Sequence, residues 1–343
     1  MSPKNWEIHN PAGSKRVIVT KELPGTRWLD ILTGAGCKVE ICTSAEVLSV
    51  ADIRAAMGTQ CDGVLGQLTE DWGDELFAAL KAAGGTAYSN VAVGYNNVDV
   101  EAATSHGIPM GNTPGVLTET TAQMAVTLTF AAARRTGEAE RFLRAGKYKG
   151  WLMTLFLGEL LWRRTVGVIG AGRIGATYAR MMVEGHKMNL IYYDIHPNKD
   201  LEDYIAAYGD FLKSRGEEPV SCKRADTVAE VLQQADCVSV HTVLDDSTHH
   251  LINAASLALM KENAILVNTS RGPVVDEAEL VAHCQEHPNF RAGLDVFEKE
   301  PTPEIQLLMN PNLSLTPHIG AATGEAQDRI GTELASQIIE ILS

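Results

Sequence analysis

The chain has 343 residues, 45% hydrophobic and 21% charged, with a formal net charge of -14 at pH 7. At roughly 100–200 residues per domain, that length implies two domains with ample material for two cores. The acidic balance argues against nucleic acid or an anionic membrane surface as the main partner, although local positive charge can still bind a small anion.

Taken in chain order, residues 16–20, 38–42, 63–66 and 86–90 read as short strands rich in β-branched or apolar side chains. Helical stretches such as 69–83 separate them, and this alternation predicts a parallel sheet covered by helices. One long helix is predicted over 119–145, with Thr118 as its N-cap and Gly146 as its stop. Its Ala, Val, Leu and Met positions suit close packing rather than a membrane, and no window approaches the ~20 apolar residues of a span. A second series follows: strand 165–169, helix 174–183, strand 189–193, then strands 237–241, 265–268 and 293–296, and a helical tail over 324–342. Residues 200–218 form a polar, helix-like extension of one connection. The six cysteines, Cys37, Cys42, Cys61, Cys222, Cys237 and Cys284, include no CxxC pair. They read as reduced thiols of an intracellular protein, and no metal site is expected.

Gly170-Ala171-Gly172-Arg173-Ile174-Gly175 is a GxGxxG between a predicted strand and a predicted helix, and Asp194 sits 19 residues beyond Gly175. In that context it is a dinucleotide loop. Gly170 permits the tight turn, Gly172 lets backbone approach a pyrophosphate, and Gly175 lets the helix pack close. The phosphates meet the helix's unpaired N–H groups. Asp194 can accept from the ribose hydroxyls and repel a 2′-phosphate, so NAD(H) is favoured over NADP(H).

Three further segments each follow a predicted strand: Asn268-Thr269-Ser270-Arg271-Gly272, the stretch 293–301, and Leu315-Thr316-Pro317-His318-Ile319-Gly320. Ligands of open parallel sheets bind at the carboxyl ends of strands, so Arg271, Glu300 and His318 are candidates to converge. The chemistry suits reduction of a 2-oxo acid. His318 supplies a proton, Glu300 holds its other ring nitrogen, and Arg271 grips a carboxylate with a planar fork. Two other histidine features read as structural. In His249-His250 adjacent side chains should point apart with no carboxylate cluster beside them, and His241 reads as packed or hydrogen-bonded.

These motifs, with the catalytic candidates spaced 29 and 18 residues apart, resemble the D-isomer-specific 2-hydroxyacid dehydrogenases over nearly the whole chain. Within that family PGTRW at 24–28, CDGVLGQLTEDWG at 61–73, SNVAVGYNNVDVEAA at 89–103, NTPGVLTETTA at 112–122 and RMMVEGHKMNLIYYD at 180–194 are most similar to plant and algal NADH-dependent hydroxypyruvate reductases. The resemblance implies that Val93 and Gly94 bind the substrate carboxylate through backbone N–H groups. It implies that Thr242, Thr269, Ser270, Asp295 and Gly320 line the nicotinamide end, and that Thr121, Arg173 and Ile174 complete the cofactor site. It also implies a homodimer formed through 119–162, in which Trp151 reaches the partner's active site. The expected fold is α/β, with two Rossmann-like doubly wound parallel-sheet domains and a cleft between them. Residues 1–111 plus 320–343 would bind substrate and 112–319 would bind NAD. The resemblance points to the peroxisome, but Ile341-Leu342-Ser343 is not a peroxisomal Ser-Lys-Leu ending, so mitochondrion and cytosol stay open. Two rival activities share the pattern. A 3-phosphoglycerate dehydrogenase would need cationic side chains in 91–97, which has none. An NAD-sensing scaffold like the C-terminal-binding corepressors would bind peptides and turn over small substrates slowly.

Overall fold

The computed structural model describes residues 6–343. The chain forms two compact units, Met1–Leu117 with Ala321–Ser343, and Thr118–Gly320. The first contains strands β1 (Trp6–His9), β2 (Lys15–Val19), β3 (Cys37–Cys42), β4 (Gly63–Gln67), β5 (Ala87–Val91) and β6 (Met110–Gly111). Helices α1 (Arg27–Gly34), α2 (Val50–Met57), α3 (Asp74–Ala82) and α4 (Val100–Ser105) lie between them. The sheet order is β1-β3-β2-β4-β5-β6. All neighbours are parallel except β1, an edge strand that runs antiparallel to β3 and was not expected. Val17, Ile18 and Val19 are fully buried, the continuous apolar run of a strand covered on both faces.

The second unit opens with α5 (Thr118–Ala133) and α6 (Thr136–Arg144). It continues as β7 (Thr165–Ile169), α7 (Arg173–His186), β8 (Asn189–Tyr193), α8 (Lys199–Ser214), β9 (Cys222–Arg224), α9 (Val228–Gln234), β10 (Cys237–Val240), α10 (Ala254–Leu257), β11 (Ile265–Asn268), α11 (Glu277–Glu286), β12 (Arg291–Leu294), α12 (Ile305–Leu308) and β13 (Leu313–Leu315). Its sheet is wholly parallel in the order β13-β12-β11-β10-β7-β8-β9. The last helix, α13 (Gly324–Leu342), returns to the first unit and packs on α1 and β5.

Several expectations need correction. The single helix over 119–145 is two helices, broken where Arg135 adopts a left-handed backbone (φ 54). The Ala-rich α5 buries Ala125, Leu128, Ala132 and Ala133, whereas α6 buries nothing, so the chain turns where its buried face ends. The helix expected over 69–83 begins at Asp74, because residues before it form a turn in which Trp72 bridges to Val98. The strand expected over 293–296 lies two residues earlier, at Arg291–Leu294. The first unit also extends to Leu117 rather than to residue 111. Thr113 N donates to Ala92 O (3.0 Å), Asn112 Nδ2 to Val93 O (2.7 Å) and Gln337 Nε2 to Asn112 O (2.8 Å), which ties 112–113 into the first sheet. The polar extension folds as α8, capped by Asn198 and packed through Leu201, Ile205 and Leu212.

Candidate active site

β7 runs directly into the glycine loop. Gly170 has φ 91, and a Cβ there would lie 2.7 Å from His241 O. A Cβ on Gly175 would lie 2.0 Å from Gly170 O, so only glycine lets α7 pack this closely on the loop. Gly172 caps α7, and space beside it is open. Arg173 is exposed and Ile174 half-buried on the first turn. Asp194 directly follows β8. Its carboxylate accepts from Ala171 N (2.7 Å) and His196 N (2.9 Å), which holds it against the loop. At the ends of β10 and β11 the hydroxyls of Thr242 and Thr269 are buried without a hydrogen-bond partner. Buried polar groups are rarely left so, and a ligand amide would satisfy them. An open helix N-terminus, an acid beside the loop and two orphaned hydroxyls together fit a dinucleotide.

His318 and Glu300 meet, with Nδ1 2.7 Å from Oε2. The other Glu300 oxygen accepts from Phe297 N (2.9 Å). Burial alone would raise the Glu300 carboxyl, but the His318 bond, the Phe297 N–H and the charge of Arg271 outweigh it and hold the group below its ordinary value. Arg271 is lowered by burial and supported by Glu300. The loop bearing Glu300 rests on the residue after Arg271: a Cβ on Gly272 would lie 1.9 Å from Phe297 C and 2.3 Å from Glu298 N. The first turn of α11 clips the same loop. Glu298 N donates to Glu277 Oε1 (2.8 Å), and Glu277 N donates to Glu298 Oε1 (3.2 Å).

Asp295 is 1% exposed and organises the histidine turn. Its carboxylate accepts from Thr316 Oγ1 (2.6 Å), Ile319 N (2.8 Å) and Gly320 N (2.7 Å), while its carbonyl accepts from His318 N (2.8 Å). These bonds hold His318 in the left-handed region (φ 53). A Cβ on Gly320 would sit 3.5 Å from Thr121 Cγ2, which places Thr121 beside this turn. Ser270 donates through N and Oγ to Asn268 Oδ1, and Asn268 Nδ2 donates to Arg271 O. Sequence reasoning passed over Asn268, although it opens the NTSRG motif.

His249-His250 departs from expectation. The rings stack at 4.1 Å because His250 has a left-handed backbone (φ 49). Carboxylates do lie beside it, with Nε2 2.9 Å from Glu298 and Nδ1 3.4 Å from Asp276. Among the described residues no group of three or more His, Cys, Asp or Glu is arranged to hold a metal ion. His241 bonds Ser239 at 2.9 Å, and burial pushes its imidazole down to about 3, so it is neutral. Trp151 is 76% exposed, in a segment that also exposes Leu152, Met153 and Leu160. No helix among the described residues is long and apolar enough to cross a membrane.

The first unit holds a separate feature in the loop after β5. Three successive carbonyls are occupied: Ala92 O by Thr113 N (3.0 Å), Val93 O by Asn112 Nδ2 (2.7 Å) and Gly94 O by Asn90 Nδ2 (3.2 Å). In a trans peptide the following N–H points opposite to the carbonyl. The N–H groups of Val93, Gly94 and Tyr95 therefore face away from these anchors. Among the described residues no acceptor meets them. Successive N–H groups without an acceptor can bind an anion.

Residues 126–320 match the model of the D-isomer specific 2-hydroxyacid dehydrogenase, NAD binding domain. The chain is 56% identical over 338 residues to the peroxisomal glycerate dehydrogenase HPR of Arabidopsis thaliana, covering 98% of this chain and 88% of that protein. The chain belongs to the D-isomer specific 2-hydroxyacid dehydrogenases. It is therefore an NAD-binding oxidoreductase. The dehydrogenase is also 42% identical over 253 residues to a glyoxylate reductase of Thermococcus litoralis, covering 72% of this chain and 71% of that one. Among solved structures it matches the TT0316 protein of Thermus thermophilus with a TM-score of 0.83 and 33% identity, covering 95% of this chain and 96% of that one. A D-lactate dehydrogenase of Aquifex aeolicus complexed with NAD and lactic acid, at TM-score 0.75 and 23% identity, covers 94% of this chain and 93% of its own, and shares the fold.

Proposed function

We propose that this dehydrogenase reduces hydroxypyruvate to D-glycerate, and glyoxylate to glycolate, using NADH. The observation that carries the reading is the His318–Glu300 pair at 2.7 Å, with a half-buried Arg271 in the same unit whose charge acts on Glu300. When bound, the reduced nicotinamide supplies a hydride to the substrate's carbonyl carbon. Arg271 holds the substrate carboxylate and draws charge toward the carbonyl oxygen. His318 delivers a proton from Nε2 to that oxygen as it becomes an alkoxide, and Glu300 on Nδ1 stabilises the protonated ring. Asp295 and Asn268 keep His318 and Arg271 in place.

The Thr118–Gly320 unit is assigned the cofactor. Gly170, Gly172, Arg173, Ile174 and Gly175 hold the pyrophosphate, Asp194 the ribose, and Thr121, Thr242, Thr269, Ser270, Asp295 and Gly320 the nicotinamide end. Asp194 sets a preference for NADH over NADPH, and no metal takes part. The other unit is assigned the substrate carboxylate through Val93 and Gly94. The exposed apolar segment around Trp151 supports a homodimer in which Trp151 approaches the partner's substrate. The peroxisomal plant relative supports the same compartment here.

Steady-state assays with hydroxypyruvate, glyoxylate and phosphohydroxypyruvate, each with NADH and NADPH, test the reading. Efficient NADH-dependent turnover of hydroxypyruvate is expected. A preference for the phosphorylated substrate, or turnover no faster than a nucleotide sensor's, overturns it.

A further inference from the structure

The N–H groups after β5 can serve an anion only if their peptides keep one orientation, and the groups that set it are side chains with no assigned role. Asn90 is fully buried and stands two residues before the first of the anchored carbonyls. Its Nδ2 donates to Gly94 O (3.2 Å) and to Asn97 Oδ1 (3.1 Å). Asn97 closes the loop, and its Nδ2 donates to two backbone carbonyls at and just beyond the end of β4, Gln67 O (3.1 Å) and Glu70 O (2.9 Å). Carbonyls only accept, so the Asn97 amide has one permitted orientation, with Oδ1 left to accept from Asn90 Nδ2, while Asn97 Nδ2 also lies 3.3 Å from Asn90 Oδ1. Asn97 Oδ1 and Gly94 O together fix Asn90 with Nδ2 toward both. Tyr88 donates its hydroxyl to Asn90 Oδ1 (3.1 Å), and burial keeps that hydroxyl protonated.

The direction of the Gly94–Tyr95 peptide is thus tied to two carbonyls at and just beyond the end of β4, through Asn97 and Asn90, to Gly94 O. The Val93–Gly94 peptide is set separately by Asn112. A carboxylate has about four lone-pair sites for N–H donors, so beside the Val93 and Gly94 N–H groups and a bond from Arg271 there is room for one more. We propose that the Tyr95 N–H is a third backbone donor to the substrate carboxylate, and that Asn97 is a positioning residue that aims it by helping to orient Asn90. This rests on the reading that residues 91–97 bind the substrate carboxylate.

The test compares hydroxypyruvate with glycolaldehyde, which is the same molecule with hydrogen in place of the carboxylate. Asn97→Ala removes the bonds between Asn97 and Asn90, which leaves Asn90 held by Tyr88 and Gly94 alone and the Gly94–Tyr95 peptide less firmly aimed. Losing one well-aimed bond to a charged group raises KM for hydroxypyruvate roughly tenfold or more. Little change is expected in kcat, in NADH affinity by fluorescence quenching, or in kcat/KM for glycolaldehyde. Inhibition by oxamate should weaken in proportion to the KM change. Asn97→Ser serves the same comparison if the alanine variant does not fold. An unchanged KM for hydroxypyruvate, or equal losses on both substrates, overturns the role of Asn97. Wild-type enzyme that handles glycolaldehyde as well as hydroxypyruvate overturns the carboxylate reading itself, and the two failures are distinguishable.

Discussion

Gly272→Ala isolates the geometry that brings Glu300 and His318 together. The backbone of Gly272 is not in the left-handed region, so alanine meets no conformational objection of its own. The objection is spatial. The added Cβ would stand 1.9 Å from Phe297 C, 2.1 Å from Phe297 O and 2.3 Å from Glu298 N, all backbone atoms that no side-chain rotation can move. Reaching even the tight 3.0–3.4 Å range requires the loop to retreat by about 1.1 to 1.5 Å. Glu300 lies three residues along that loop and holds His318 at 2.7 Å, so such a retreat takes the pair out of hydrogen-bond range. A misplacement of about 1 Å at a reacting constellation costs on the order of 10²-fold in rate. The same overpacking costs ~1–3 kcal/mol of stability. The expected result is kcat for hydroxypyruvate reduction reduced about 100-fold, a thermal midpoint lowered by several degrees, and NADH affinity by fluorescence titration nearly unchanged. A folded variant with wild-type kcat would refute the claim that contact at Gly272 sets the Glu300–His318 geometry.

Removal of the proposed proton donor by His318→Ala should lower kcat by ~10²–10⁴-fold while stopped-flow NADH binding stays near normal; retained kcat would remove His318 from the chemistry. Asp194→Ala should narrow the gap between NADH and NADPH in kcat/KM, because repulsion of a 2′-phosphate is gone, and a wild-type preference for NADPH would contradict the assignment. Acid stability should depend on Glu40, which the Arg16 hydrogen bond, against the cost of burial, lowers from 4.5 to about 2. A lowered carboxyl stabilises fully above its unfolded value and ceases to do so as pH falls through its folded one. The deficit of Glu40→Gln, at most ~3 kcal/mol at neutral pH, should therefore shrink between pH 4.5 and about 2 in denaturant melts. A deficit constant across that window would show that Glu40 acts by packing alone.

The sequence by itself determined the features whose cause is local. The strands Thr165–Ile169 and Asn189–Tyr193 are legible to the residue, because a strand buried on both faces must be a continuous apolar run. The glycine loop is legible because tight turns and close helix packing admit no side chain. Arg271, Glu300 and His318 were legible as candidates because each follows a strand end, where ligands of parallel sheets bind. Tertiary structure alone decided what depends on residues distant in the chain. The helix over 119–145 breaks at Arg135 because only α5 has a buried face to serve. His250 meets Glu298 across 48 residues, and Asn97 takes its orientation from carbonyls 27 and 30 residues away. Gln337 bonds Asn112 from 225 residues away, which draws the boundary of the first unit past residue 112. Asparagine and glutamine amides carry no periodicity and no charge. Nothing in the linear pattern distinguishes an amide at the surface from one that aims a peptide, and their roles emerge only when folding delivers their partners.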